Sequence, residues 1–139
     1  MKKEDVKVKK LNNKGFSLVE IIIVIAIMAI LAGALAPQLM KYVEKSRVAA
    51  DNNNCNAIKT AVMTALANES AYDSIDTTKL ITFNANKPDK YSDGTTLPDA
   101  FINELHGIVG TWPSVKEKNK TKFQITFSSD KAVTVVTIP

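Results

Sequence analysis

Catalytic chemistry has few side chains to draw on here, because the chain holds one histidine, His106, and one cysteine, Cys55. Zinc sites take three or four His, Cys or carboxylate ligands, so no His and Cys cluster can be assembled within one chain. A Cys–His nucleophilic pair is arithmetically possible. Cys55, however, recurs with Ile58, Val62 and Ala65 at spacings of three, four and three, an apolar stripe that faces a core, and reads as a small packing residue. A single cysteine forms no intrachain disulfide, so the fold rests on packing alone. Glycine-rich phosphate loops are absent from the sequence. The expectation is a protein that is not an enzyme, with no catalytic residue, cofactor or metal. The carboxylate that stands out is Glu20, at the edge of a long apolar run.

From Ile21 to Met40 there is no charged residue, and a helix of that length spans about 30 Å, the hydrocarbon thickness of a bilayer. Ionisable residues near the centre of a span cost roughly 2.5–3.5 kcal/mol, so Glu20 reads as functional unless it lies in the solvated interface. Six lysines precede the run and only Lys41, Lys45 and Arg47 follow closely, which puts the N terminus on the cytoplasmic side and exports the rest. Two alternatives compete. A buried helix of a soluble protein is rarely apolar all round over such a length. A secretory signal cut after Ala34-Leu35-Ala36 would need a shorter apolar core, and Pro37 would follow the cut directly.

Bulk charge misleads. The formal net charge is +4, yet residues 1–15 contain six lysines against Glu4 and Asp5, and the remainder carries twelve of each sign. The pI near 9.1 therefore describes the leader. A basic nucleic-acid-binding face loses its support, and no specific nucleic-acid partner is expected. The lysines at 116, 118, 120 and 122 form a local basic strip, read as a solvated loop. Length and an apolar fraction of 45% fit one compact domain with an appendage.

Lys14-Gly15-Phe16-Ser17-Leu18-Val19-Glu20, with a basic leader before it and an apolar helix after it, resembles the class III signal and N-terminal segment of type IV prepilins. The resemblance covers roughly residues 10–50. It implies cleavage between Gly15 and Phe16 by a membrane prepilin peptidase, N-methylation of Phe16 by the same enzyme, and extraction into a helical filament of identical subunits. Gly33 and Pro37 correspond to the helix-weakening stretch of that family. The implied partners are other copies of the chain, the peptidase and methylase, the assembly machinery and, before assembly, membrane lipid. The implied role is a pilus subunit in surface adhesion or twitching motility, with a precursor in the cytoplasmic membrane and a mature form in an extracellular pilus. Many pilins of didermal bacteria close a C-terminal loop with two cysteines; none follows Cys55, so the chain is similar to those without a C-terminal disulfide. A pseudopilin of a secretion or DNA-uptake machine shares this N terminus. A membrane-anchored binding domain that never polymerises is the alternative from another class.

The residues themselves agree with that implication. Gly15 lets a protease approach the backbone, and Pro37 clashes one turn back at Gly33, a poor helix former, to make a soft joint. Membrane helices have little hydrophobic reason to leave lipid for one another, so a polar contact must register them. Glu20 and a new α-amino group at Phe16 supply opposite charges for it.

The domains follow as a leader, 1–15, an apolar transmembrane and assembly helix, 16–40, and an exported domain, 41–139. The helical pattern continues to near Ser70, with Lys41, Glu44, Lys45, Arg47, Asp51 and Lys59 largely off the apolar stripe and Asn52-Asn53-Asn54 a candidate bend. Residues 71–78 read as turns, Leu80 to Phe83 as a short strand, and Asn84 to Thr96 as an exposed loop. A helix is expected at 98–106, starting on Pro98 and ending at His106-Gly107. Ile108 to Trp112 is a candidate strand. Alternation of Phe123, Ile125 and Phe127, a turn at 128–131, and Val133 to Ile138 make a hairpin. The fold class is α+β: one long N-terminal helix with a small antiparallel sheet packed on its second half. Asn68-Glu69-Ser70 and Asn119-Lys120-Thr121 match the glycosylation triplet, and Leu97-Pro98-Asp99-Ala100-Phe101 departs from a sortase motif.

Overall fold

The computed structural model describes residues 15–139. The leader expected at 1–15 therefore lies, Gly15 excepted, outside the described residues. Helix α1 runs Leu18–Ala65, followed by α2 at Glu69–Ser74, strand β1 at Ile81–Phe83, α3 at Asp99–Ile108, β2 at Lys122–Phe127 and β3 at Val133–Ile138. The chain divides into two compact units, one ending at Leu39 and the other Met40–Pro139.

In the first unit every described residue is exposed. Phe16 is 85% and Ile30 72% exposed, a state apolar side chains do not keep in water. This is the one helix among the described residues long and apolar enough to cross a membrane. Its helical assignment continues through Gly33 and Pro37 and, further on, through Asn52-Asn53-Asn54 without a break.

In the second unit α1 becomes one-sided, and Cys55, Ile58, Ala61, Val62 and Ala65 are buried. The three strands pair antiparallel in the order β1-β2-β3, with Ile81 opposite Ile125, Phe83 opposite Phe123, and Phe127 opposite Val133. Because successive strand residues point to opposite faces, Phe123 and Ile125 share one face, and both are fully buried. They join the stripe of α1, Phe101 and Leu105 of α3, and Trp112 in one core. Phe83 anchors it, meeting Trp112 edge-on at 5.0 Å and Phe123 at 5.6 Å between ring centroids. The α+β fold and the hairpin are as the alternation predicts.

Several boundaries differ. The long helix stops at Ala65 rather than near Ser70, because Asn68 caps a new helix: its Oδ1 accepts the Ser70 and Ala71 amides at 3.0 and 3.3 Å. The stretch expected as turns thus opens with α2. Helix α3 continues through Gly107 to Ile108, with the Val109 amide closing onto the Leu105 carbonyl at 3.1 Å, and Pro98 stands just outside it. Ile108 to Trp112 is not a strand; Ile108 ends the helix, and Trp112 is drawn into the core by Phe83. Within 84–96, Tyr91 is buried rather than exposed, its hydroxyl accepting the Asp76 amide at 2.8 Å. Gly94 makes the tight return there at φ 87°, a backbone region that favours glycine.

Candidate processing and assembly segment

Gly15, Phe16 and Ser17 are non-helical and exposed, and helix α1 begins directly after them. A Cβ built on Gly15 would meet nothing within 4 Å. Among the described residues nothing crowds the Gly15 side of the Gly15–Phe16 peptide. What holds the helix start is local. Ser17-Leu18-Val19-Glu20 has the serine and glutamate spacing of a capping box, and the Glu20 carboxylate accepts the Ser17 amide at 2.8 Å. The Ile21 amide donates to the Ser17 carbonyl at 3.3 Å and opens the ladder. A carboxylate in the first turn also meets the positive end of the helix dipole. This capping role of Glu20 was legible in the spacing of Ser17 and Glu20. Gly33 and Pro37 lie inside α1.

The other groups that could do chemistry belong to the second unit. Cys55 is a free thiol, 8% exposed, and burial in the first place, with Asp51 nearby, pushes its pKa up, opposite to an activated nucleophile. Nε2 of His106 lies 3.2 Å from the Pro88 carbonyl oxygen. Among the described residues no three His, Cys, Asp or Glu side chains gather as metal ligands.

A second polar feature was missed in the sequence. Asp51, placed there largely off the apolar stripe, is 1% exposed. Its Oδ1 accepts the Lys116 amide at 2.9 Å, and Oδ2 accepts the amides of Lys116 at 2.9 Å and Glu117 at 2.7 Å. Three charge-assisted bonds thus fasten the 113–121 connection to α1. Glu44, two turns earlier, accepts the Lys118 amide at 3.3 Å. The signal was present: Asp51 precedes Cys55 by four, which continues the inward stripe by one turn.

Residues 10–36 match the family model described as the prokaryotic N-terminal methylation motif. The chain is 35% identical over 78 residues to a prepilin peptidase-dependent protein A of Clostridium perfringens (strain 13 / Type A), covering 55% of this chain and 56% of that protein. It is 40% identical over 53 residues to two type IV major fimbrial proteins FimA of Dichelobacter nodosus, covering 38% of this chain and 34% and 33% of theirs. The matched stretches therefore span between a third and somewhat over half of those relatives. No solved structure matches the chain.

Proposed function

We infer that this chain, a type IV pilin by its N-terminal segment and a structural protein rather than an enzyme, is the subunit of a pilus filament. The observation that carries the reading is the exposed, non-helical Gly15–Phe16 peptide set immediately before an apolar helical stretch, residues 18–40 of α1, whose one carboxylate is Glu20. A prepilin peptidase hydrolyses that peptide, leaving the carboxylate on Gly15 and the amine on Phe16, and Phe16 is then N-methylated. The precursor spans the cytoplasmic membrane once with residues 41–139 exported, and the mature chain passes into an extracellular filament.

The physical case for polymerisation is the surface that α1 leaves open. Among the described residues its apolar side chains up to Met40 are exposed, a surface that lipid or other copies of the chain would cover. Lipid covers them as well as another helix does, so apolar surface alone does not drive assembly. The new ammonium at Phe16 and the Glu20 carboxylate of a neighbouring copy supply the polar contact. Either charge left alone in a water-poor filament core is costly, and the pair sets register more than affinity. Gly33 and Pro37 let the helix adjust where copies crowd. Surface adhesion or motility is the role such a filament serves.

Intact mass and N-terminal sequencing of protein from cells test this. A mature chain starting at methylated Phe16 is expected; a start at Met1 or at Pro37 overturns the reading.

A further inference from the structure

Charge in residues 41–139 is close to balance, with twelve basic against eleven acidic side chains, but unevenly placed. Residues 66–106 hold seven carboxylates against three lysines, whereas residues 107–139 hold five lysines against two carboxylates. The fold turns most of this chain order into two ends, the exception being Lys131, whose ammonium lies on α2, donating to the Tyr72 carbonyl at 2.7 Å and sitting 3.4 Å over the Tyr72 ring. The strip Lys116, Lys118, Lys120 and Lys122 is fastened beside the early part of α1 by Asp51 and Glu44. Helix α2, with Glu69 and Asp73 exposed, begins just after α1 ends at Ala65. Glu104 joins that end, its carboxylate accepting the Asn68 side-chain amide at 3.0 Å. From Glu44 to Ala65 the helix rises about 30 Å.

Among the described residues no ion pair neutralises either end, and Lys131 meets Tyr72 rather than Glu69 or Asp73. Among the described residues the ion pairs are Arg47–Glu44 at 4.0 Å and Lys79–Asp93 at 2.9 Å, and neither involves the strip, Glu69 or Asp73. Lys116 and Lys120 reach only neutral oxygens, of Ser114 and Thr137. Lys118 and Lys122 are exposed. The strip is also a built surface, since a buried carboxylate fixes the backbone at Lys116 and Glu117.

We propose that the Lys116–Lys122 strip of one copy docks on the α2 end, Glu69 and Asp73, of the next copy. Opposite charge at the two ends selects this arrangement. A two-fold dimer through either patch would set like charges against each other, whereas a head-to-tail contact sets unlike charges together and repeats without closing. The inference rests on the pilus-subunit reading and adds which faces of the exported domain meet.

Charge swapping tests it on full-length protein in cells, with filament recovered by shearing and processed protein in membranes as the two readouts. Lys118→Glu with Lys122→Glu, and separately Glu69→Lys with Asp73→Lys, each turn attraction into repulsion at several pairs. Each should lower sheared filament about tenfold while the processed membrane pool stays normal. All four changes together should restore it to within about threefold of wild type. Protease resistance of the membrane pool checks the fold of each variant, and Asp73→Lys alone replaces the acidic-end variant if α2 is weakened. Unchanged yields in both reversals overturn the docking alone. So does a combined variant that stays as low as the single reversals, the result expected if the strip met an anionic lipid headgroup. A sheared fraction empty for wild type overturns the filament reading and this inference with it.

Discussion

Replacing Asp51 by alanine distinguishes a solvated helix face from the buried clamp found here. A charged residue on an open face changes stability by about 0.5 kcal/mol or less when truncated. In the folded chain, Asp51 takes the amides of Lys116 and Glu117, and no other acceptor is recorded for either. Hydrogen bonds to a charged group contribute roughly 1.5–3 kcal/mol each, and a buried donor left unpaired costs about 1–3 kcal/mol. Lys116 itself is exposed, so water can reach part of the opened connection and the upper values do not apply. Two donors at the low end give a loss of about 2–4 kcal/mol. For a domain of this size that lowers the melting temperature by roughly 10–20 °C. Asp51→Asn keeps one acceptor oxygen without the charge, and should lose about half as much. Circular dichroism melting of the detergent-solubilised full chain measures all three proteins, and hydrogen exchange reads the Lys116 and Glu117 amides directly. If Asp51→Ala melts within about 3 °C of wild type, or if those amides exchange at loop rates in wild type, the clamp contributes little and the reasoning fails.

Asn68→Ala removes the cap of α2 and should cost about 1 kcal/mol, read by the same melting experiment, while Asn68→Ser, which still accepts the α2 amides without setting a second carboxylate against Glu104, should cost less. The Asp93 carboxyl takes hydrogen bonds from the Thr95 hydroxyl first and the Lys79 ammonium second, which hold its pKa far below the usual carboxylate range. Because the folded pKa is depressed, its contribution is complete above the unfolded value near 4 and fades only as acid titrates the folded group; a carboxyl carbon titration showing an ordinary midpoint would contradict the geometry. Gly15→Val places a β-branched side chain beside the scissile peptide and should leave unprocessed, membrane-bound precursor, whereas surface filaments from that variant would mean that the cut lies elsewhere. Glu20→Ala should leave the exported domain folded and inserted but confine the protein to membranes on shearing; equal shearing of variant and wild type would demote Glu20 to an interfacial residue.

Legibility in the sequence followed the scale of the interaction that decides each element. The long helix, its change from all-round apolar to one-sided, and the Phe123–Ile138 hairpin are set by periodicity summed over many residues, and they stand where the sequence puts them. Boundaries decided by one side chain were missed. Asn68 ends one helix by starting another through two bonds of its own, which no periodicity announces. Asp51 was assigned by residue type, although its spacing from Cys55 placed it inside; its partners are 65 and 66 residues away, beyond any local pattern. Ile108 to Trp112 is a candidate strand in the sequence, while a ring contact with Phe83 decides the place of Trp112.

On the proposed function, one carboxylate at position 20 would serve both the precursor and the filament. Before cleavage Phe16 contributes an amide, and the available donor for Glu20 is the Ser17 amide at 2.8 Å, which starts the helix two residues after the peptide to be cut. Keeping Gly15 and Phe16 out of the helix follows from that start, since a peptide inside the ladder would have its carbonyl engaged and its faces crowded. The proposed cleavage would create an ammonium adjacent to Ser17, a stronger donor than any amide, competing for the same carboxylate. Within one chain the two donors sit too close in sequence to need a second subunit. In lipid, though, neither charge is well solvated, and a geometry that pairs the ammonium with a neighbour's Glu20 leaves each Ser17 amide with the second oxygen of its own carboxylate. A carboxylate has acceptor sites for both. Glutamine offers a single acceptor oxygen and no charge, so Glu20→Gln should preserve cleavage and the helix start while assembly falls. Comparing sheared with membrane-bound protein and sequencing the N terminus of Glu20→Gln reads both at once: processed protein held in the membrane supports a carboxylate shared between cap and neighbour, and normal shearing refutes it.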